Sequence, residues 1–171
     1  HFVNVFLVRY SDTAVAFFGA YFKVQQLVVM TVNGLIQGCL PIMRFNYRAK
    51  KEERLWQTYR TGTRIAALMM LAGTVLLLCF PDRILSLFSA SAEMRAFGVS
   101  AMRIMSLGFV CSGLSTMIAT YEQATDRVLP SMTIQLLRQG ILLVPVMGLL
   151  NQTLHLTGIW IAFPVTEWIV C

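Results

Sequence analysis

Residues 65–81 read IAALMMLAGTVLLLCFP, an unbroken apolar run between Arg64 and Asp82 that carries no charge and no alternation of apolar with polar residues. Crossing roughly 30 Å of hydrocarbon takes about 20 mostly apolar residues in a helix, less when the ends snorkel. Inside hydrocarbon the backbone must satisfy its own hydrogen bonds, so a long apolar run without a period of two means a helix. Residues 104–121 and 139–166 are equally free of charged side chains, and residues 13–43 hold one, Lys23. The fold class is therefore all-α, a polytopic transmembrane helix bundle of about four full spans plus two partial ones.

Composition agrees. Hydrophobic residues make up 57% of the 171, charged residues 13%, and the mean hydropathy is +0.66. A soluble domain carries about a quarter charged residues, and a globule of this length lacks the charges for a polar shell. The formal net charge of +6 does not point to nucleic acid. Seven of the fourteen basic residues fall between Arg44 and Arg64, between two apolar runs, which is the pattern of a cytoplasmic loop. No nucleic-acid partner is expected.

Outward from residues 65–81 the spans follow in order. Residues 1–10 read as the tail of a helix, and residues 13–43 as the first complete span. That span contains Gly34-Leu-Ile-Gln-Gly38, a small-xxx-small pattern that lets a neighbouring helix approach. The basic segment 44–64 leads through a short interfacial helix into 65–80. Residues 81–95 form an outer loop, 96–121 the third span, 122–129 a short turn, and 130–150 the fourth span. Residues 151–157 form an uncharged turn before a fifth span, 158–171. Both ends are expected to be truncated, since the chain opens without a methionine and closes inside an apolar run. With 44–64 inside, 81–95 lies outside, 122–129 inside and 151–157 outside, so the inner loops carry most of the basic residues. Cys39, Cys79, Cys111 and Cys171 sit in or beside apolar runs without metal or redox spacing and read as small hydrophobes. His155 falls in an exposed turn with no special role, and Asn151-Gln-Thr153 is too close to the membrane for glycosylation.

No Ser/His/Asp set, phosphate loop or metal-spaced cluster is present, so the chain is expected to be no enzyme and to need no cofactor. Polar groups inside apolar spans are costly and mark function. Lys23, beside Gln25 and Gln26, either lines an aqueous path or snorkels outward. Asn33 and Gln37 share one helix face and either hydrogen-bond across helices or face a substrate cavity. Arg103, two to three turns into the third span, poses the same choice. Gln135 and Arg138 lie in the inner half of the fourth helix. Glu167, the only acid in an apolar span, either carries a proton or cation or packs against an inner arginine.

The order of motifs resembles the multidrug and toxic compound extrusion (MATE) family. Gly34-Leu-Ile-Gln37-Gly38-Cys-Leu-Pro41-Ile, then Phe45-Asn46-Tyr47 and the basic residues 49–54, is similar to the end of that family's helix eight. Pro81-Asp-x-Ile84-Leu-x-Leu87-Phe88 looks like the loop before helix ten. Leu136-Leu-Arg138-Gln139-Gly-Ile with Pro145, then Gly158-Ile-Trp160-x-Ala162-x-Pro164 with Glu167, resembles helices eleven and twelve.

The resemblance implies that residues 1–171 are a partial C-terminal lobe of a twelve-helix, two-lobe transporter: the end of helix seven, helices eight to eleven, and the start of twelve. It implies an integral, multi-pass protein of the bacterial cytoplasmic membrane. Such a protein exports drugs or organic cations in exchange for H+ or Na+, with the missing N-terminal lobe of the same chain and membrane lipid as partners. The expected cavity wall comes from Lys23, Gln26, Asn33 and Gln37 on the first span and Arg103, Ser112 and Thr116 on the third. A lipid-linked oligosaccharide or polysaccharide flippase of the same superfamily would favour a more cationic cavity, which Lys23 and Arg103 keep in view; a truncated, non-functional fragment is the third reading. Two positions depart from the family's pattern: Arg48 stands where it has Gly, and residues 122–127 (EQATDR) lack the usual Gly before the basic residue. Residues 96–121 carry none of the acids one branch of the family places on helix ten, so the coupling residue is expected outside this chain.

Overall fold

Charge-free windows and helix ends together dictate the elements. The computed structural model describes residues 12–88, 91–137 and 141–171, with 152–156 described by their backbone alone. Among the described residues the helices are α1 (Asp12–Arg48), α2 (Glu52–Cys79), α3 (Pro81–Leu87), α4 (Ala92–Ser106), α5 (Phe109–Ala124), α6 (Val128–Leu136) and α7 (Leu143–Val170). Among the described residues α1, α2 and the run Ala92–Ala124 are each long and apolar enough to cross a membrane, and Thr157–Val170 is a shorter apolar helix. The chain is an all-α, multi-pass membrane bundle. The helix tail expected over residues 1–10, and Arg138, lie outside the described residues.

α1 has 37 residues, about 55 Å at 1.5 Å per residue, so it projects beyond the hydrocarbon. Asp12 at its start and Arg48 at its end complement the helix dipole. Residues 44–48, expected in the basic loop, continue α1. The interfacial helix and second span expected over 50–80 prove to be one helix, α2, because nothing between Glu52 and Cys79 breaks the backbone ladder. α2 lies close along α1: a Cβ on Gly73 would come within 2.7 Å of the Val28 side chain. The expected loop 81–95 contains about two helical turns, Pro81–Leu87, and the first residues of α4. Pro81, with its fixed φ and missing N–H, starts α3 where both suit a first turn.

The third span is broken. α4 begins at Ser91, whose Oγ accepts from the Met94 N–H at 3.2 Å, and ends at Ser106. At Leu107 and Gly108 the hydrogen bonds tighten to three-residue steps, Leu107 N–H to Ile104 and Gly108 N–H to Met105, before α5 resumes. That leaves the Ser106 carbonyl outside both ladders, and the Thr74 hydroxyl of α2, shared with the Met70 carbonyl of its own helix at 3.0 Å, reaches it at 3.1 Å. Pro164 of α7 fits against this break: a Cβ on Gly108 would come within 3.0 Å of the Pro164 Cα.

The core is aromatic and sulfur-rich. Phe17 meets Trp160 edge-on at 5.2 Å and Phe97 at 5.5 Å, which ties α1 to α7 and α4. Met70, Met102, Met105, Met117 and Met147 are almost fully buried around it. A second cluster, where α1 ends and α2 begins, joins Cys39 and Met43 of α1, Leu55 of α2 and Ala124 of α5. α7 is not a straight rod. Gly158 lies against the Leu150 carbonyl, eight residues back, where a straight helix would separate them by about 12 Å. The turn expected at 151–157 is instead helical backbone within the one element Leu143–Val170, with Gly158 against the Leu150 carbonyl.

Candidate functional site: a polar face and its side pocket

Helical periodicity places Lys23, Gln26, Asn33 and Gln37 within about 80° of arc on α1, at 100° per residue. Asp12, Ala16, Gly19, Met30, Gly34, Pro41, Arg44 and Arg48 fall on or beside the same line, and every one of these twelve residues is exposed. The opposite face of α1 (Ala14, Phe17, Tyr21, Val24, Val32, Cys39, Met43) is buried in the bundle. Only 17% of the apolar window of α1 is buried, against half of that of Ala92–Ala124. The uncovered side of α1 is thus a polar stripe. Amide side chains bared to hydrocarbon would each cost several kcal/mol of lost hydrogen bonding. Pro41 adds to this polarity, because it offers no N–H to the Gln37 carbonyl one turn back.

Beside the stripe lies a pocket of 160 Å³ between α1, α2, α5 and α6, lined by Val29, Val32, Asn33, Met70, Ser112, Thr116 and Gln135. Three of the expected cavity residues, Asn33, Ser112 and Thr116, therefore come together. Gln135 joins them from α6. Sequence reading noted it as a polar residue in an apolar span without assigning it to the cavity, and that polarity was the available signal. The Thr116 hydroxyl donates to the Ser112 carbonyl at 2.6 Å, which turns its lone pairs outward as acceptors. The pocket offers two carboxamides and two hydroxyls, with no formal charge among its described lining residues. Its volume holds about five waters at roughly 30 Å³ each. Drug-sized sites run to about 300–1,000 Å³, so this pocket alone is too small to hold a drug-sized molecule.

The other expected residues stand elsewhere. Lys23 borders an open outer cleft of 590 Å³ with Asp12, Thr13, Gly19, Phe88, Ser91 and Met94, and its Nζ sits 6.0 Å from the centre of the Phe88 ring. Gln26 and Gln37 are exposed on the stripe, away from the side pocket. Arg103 is exposed, and its Nε donates to the Leu78 carbonyl at 3.2 Å. That carbonyl is among the last four of α2, which lack a partner within their own helix; Arg103 thus closes the end of α2.

Of this chain, residues 1–149 match the MatE family model. The chain belongs to the MatE family. It is 27% identical over 158 residues to the multidrug export protein MepA of Staphylococcus haemolyticus (strain JCSC1435), covering 92% of this chain and 34% of that protein. To MepA of Staphylococcus aureus (strain MSSA476) it is 23% identical over 163 residues, with the same coverage. The chain thus spans about a third of the length of the curated relatives it matches. The outward-facing conformation of a multidrug resistance MATE family transporter superposes with a TM-score of 0.91 at 20% identity, over 99% of this chain and 39% of that one. A MOP superfamily transporter from Pyrococcus furiosus, described as having a binding pocket of reversed polarity, gives 0.90 at 18%, over 99% and 39%.

The MatE motif residues have distinct structural settings. Gly34 and Gly38 have nothing among the described residues within 4 Å of a Cβ built on either. Asn46 is buried, its Nδ2 donating to the Ile42 carbonyl at 2.9 Å while its own carbonyl accepts from the Lys51 N–H at 2.9 Å. Together with the Lys50 N–H on Tyr47 and Lys50 at φ 54°, this is a Schellman end to α1. α5 stops in the same way: the Arg127 N–H reaches the Glu122 carbonyl at 2.9 Å, with Asp126 at φ 60°. The glycine missing before Arg127 is thus missing from a left-handed position. Arg48, the other departure, remains helical and carries no such strain. Pro145 is exposed, Trp160 and Pro164 are buried, and the Glu167 side chain lies beside Gly108.

Proposed function

We propose that this chain is part of the C-terminal lobe (end of helix seven, helices eight to eleven, start of twelve) of a multidrug efflux transporter of a bacterial cytoplasmic membrane. In this reading it is a secondary antiporter that exports drugs or organic cations in exchange for H+ or Na+. The observation that carries it is the uncovered polar face of α1 with its neutral side pocket. Such a face is stable only against water, substrate or a second lobe, and a two-lobe transporter supplies all three. MepA, the relative in both Staphylococcus species, is a multidrug export protein, which supports the same direction.

The chain's own residues suggest how a broad range of cations is held. Exposed apolar groups on the stripe, Met30 above all, offer adaptable contact. Asn33, Gln37 and Gln135 offer carbonyl oxygens to an ammonium or amidinium without a fixed counter-charge. Weak, undirected recognition of this kind suits a carrier that must also release its cargo. Transport then follows from rocking of one lobe against the other around the shared cavity. A flippase for lipid-linked oligosaccharides would be expected to line this wall with cations. Lys23 lies on the stripe but outside the side pocket, and Arg103 stands off both, so no cation of the described residues lines the pocket itself, which favours the exporter.

The test is accumulation of a fluorescent organic cation in efflux-deficient cells that make the full-length protein. Lower accumulation, abolished by collapsing the proton or sodium gradient, supports the antiporter. Unchanged accumulation across several dyes would overturn it.

A further inference from the structure

Apart from the polar stripe of α1, α2 presents a second exposed face. Trp56, Arg60, Arg64, Leu68, Leu71 and Val75 follow one another at steps of three or four residues, and all six are exposed. The face changes character along its length. Trp56 is half exposed, and its ring packs on Tyr59 at 5.6 Å and Tyr121 at 5.5 Å, an aromatic group of the kind that marks a membrane interface. Arg60 and Arg64 come next, and beyond them the face is aliphatic. A groove of 390 Å³ begins at Arg64 and runs along Ala67, Leu68 and Leu71 to Val110 of α5.

Two features of this face ask for an anion. Arg60 and Arg64 are four residues apart on one helix, a spacing at which like charges repel. Neither forms an ion pair with an acid among the described residues; Arg48 with Asp126 and Arg127 with Glu122 are the pairs nearby. Glu53, on the same face, stands a turn before Trp56, further from the apolar half. The groove in turn asks for a chain. From Arg64 to Leu71 it extends about 10 Å, most of the roughly 15 Å depth of one leaflet's hydrocarbon.

We infer that Arg60, Arg64 and the Ala67–Leu68–Leu71–Val110 groove form a binding site for one anionic phospholipid of the inner leaflet. The headgroup phosphate sits between the two guanidinium groups, and one acyl chain lies in the groove. The phosphate relieves the repulsion between the arginines, and the acyl chain covers aliphatic surface that α1, α5 and α6 leave bare. Trp56 sets the depth at which the headgroup rests. The site depends on the membrane location of the chain and not on its transport activity.

Native mass spectrometry of the detergent-solubilised full-length protein, titrated with dioleoyl phosphatidylglycerol or dioleoyl phosphatidylcholine, tests this. The unmodified protein is expected to retain the anionic lipid at least tenfold more tightly than the zwitterionic one. R60Q/R64Q should weaken phosphatidylglycerol by about fivefold per arginine removed, from the usual contribution of a basic side chain at an anionic surface. L71W, which fills the groove and keeps both charges, should weaken both lipids. R48Q/K50Q, basic but off the groove, should leave the first bound phosphatidylglycerol unchanged. Equal retention of the two lipids would overturn the site. So would a silent R60Q/R64Q, a silent L71W, or an equal loss in R48Q/K50Q, which would mark a diffuse attraction of the basic loop.

Discussion

Gly108 and Pro164 touch backbone to backbone: a Cβ on Gly108 would stand 3.0 Å from the Pro164 Cα and 3.4 Å from the Cβ and Cγ of Glu167. Gly108 has φ −80° and ψ −13°, a conformation any residue adopts, so glycine is needed there for space alone. The break between α4 and α5 is where α7 docks.

Gly108→Ala should therefore destabilise the protein by about 1–3 kcal/mol, the usual cost of forcing an extra carbon into a packed site. The near neighbour is backbone and cannot swing aside. Thermal unfolding in detergent checks it; an unchanged midpoint would mean that α7 sits further off.

Gly34→Ala should do the reverse. With no described residue within 4 Å of it, and on helical backbone, the added methyl raises helix propensity by up to about 1 kcal/mol. The unfolding temperature should hold or rise while drug transport falls, because the methyl intrudes on the face proposed to line the cavity. Loss of stability with transport intact would instead identify Gly34 as a packing residue against the rest of the protein.

The ends of α1 and α5 give a third expectation. Lys50 and Asp126 adopt left-handed backbone at φ 54° and 60°, which costs a residue with a Cβ about 1 kcal/mol. Lys50→Gly should stabilise by about 0.5–1 kcal/mol. Asp126→Gly should gain less, because aspartate tolerates this region better and its exposed pairing with Arg48 is lost. Asp126→Ala should lose stability outright. Unfolding midpoints of the three variants in one detergent decide the order.

Removing the Thr74 hydroxyl should leave the Ser106 carbonyl without its donor from α2. Thr74→Val is expected to cost about 1 kcal/mol, in the range of hydrogen bonds between membrane helices, and Thr74→Ser to restore most of it. Equal stability of Thr74→Val and the unmodified protein would show that the break does not depend on this bond.

Much of the architecture is legible in the chain, because charge-free windows such as 65–81 admit little but membrane helices. The polar face of α1 is legible as well, since period 3.6 alone aligns Lys23, Gln26, Asn33 and Gln37. The break at Leu107–Gly108 is not. No proline marks it, and the partner that fits against it, Pro164, is more than fifty residues away. Nor is α3 readable in the stretch taken as loop, where seven residues are too few to show a period. The meeting of Gln135 with Asn33 and Ser112 depends on how α6 rotates against α1 and α5, which a single sequence does not encode locally. The strain at Asp126 was foreshadowed by the glycine missing before Arg127, although its sign of φ emerges only from the folded turn.

The central claim is that the polar face of α1 borders a water-filled, substrate-holding cavity. The most direct measurement is labelling of single cysteines, introduced at Asn33 and Gln37 and, for contrast, at Leu68 and Leu71, in the cysteine-free full-length protein in membranes. A hydrophilic maleimide should react at positions 33 and 37, be slowed there by transported cations, and spare positions 68 and 71. If 33 and 37 are as unreactive as 68 and 71, or are labelled at a rate no substrate changes, the stripe is not a cavity wall and the account fails.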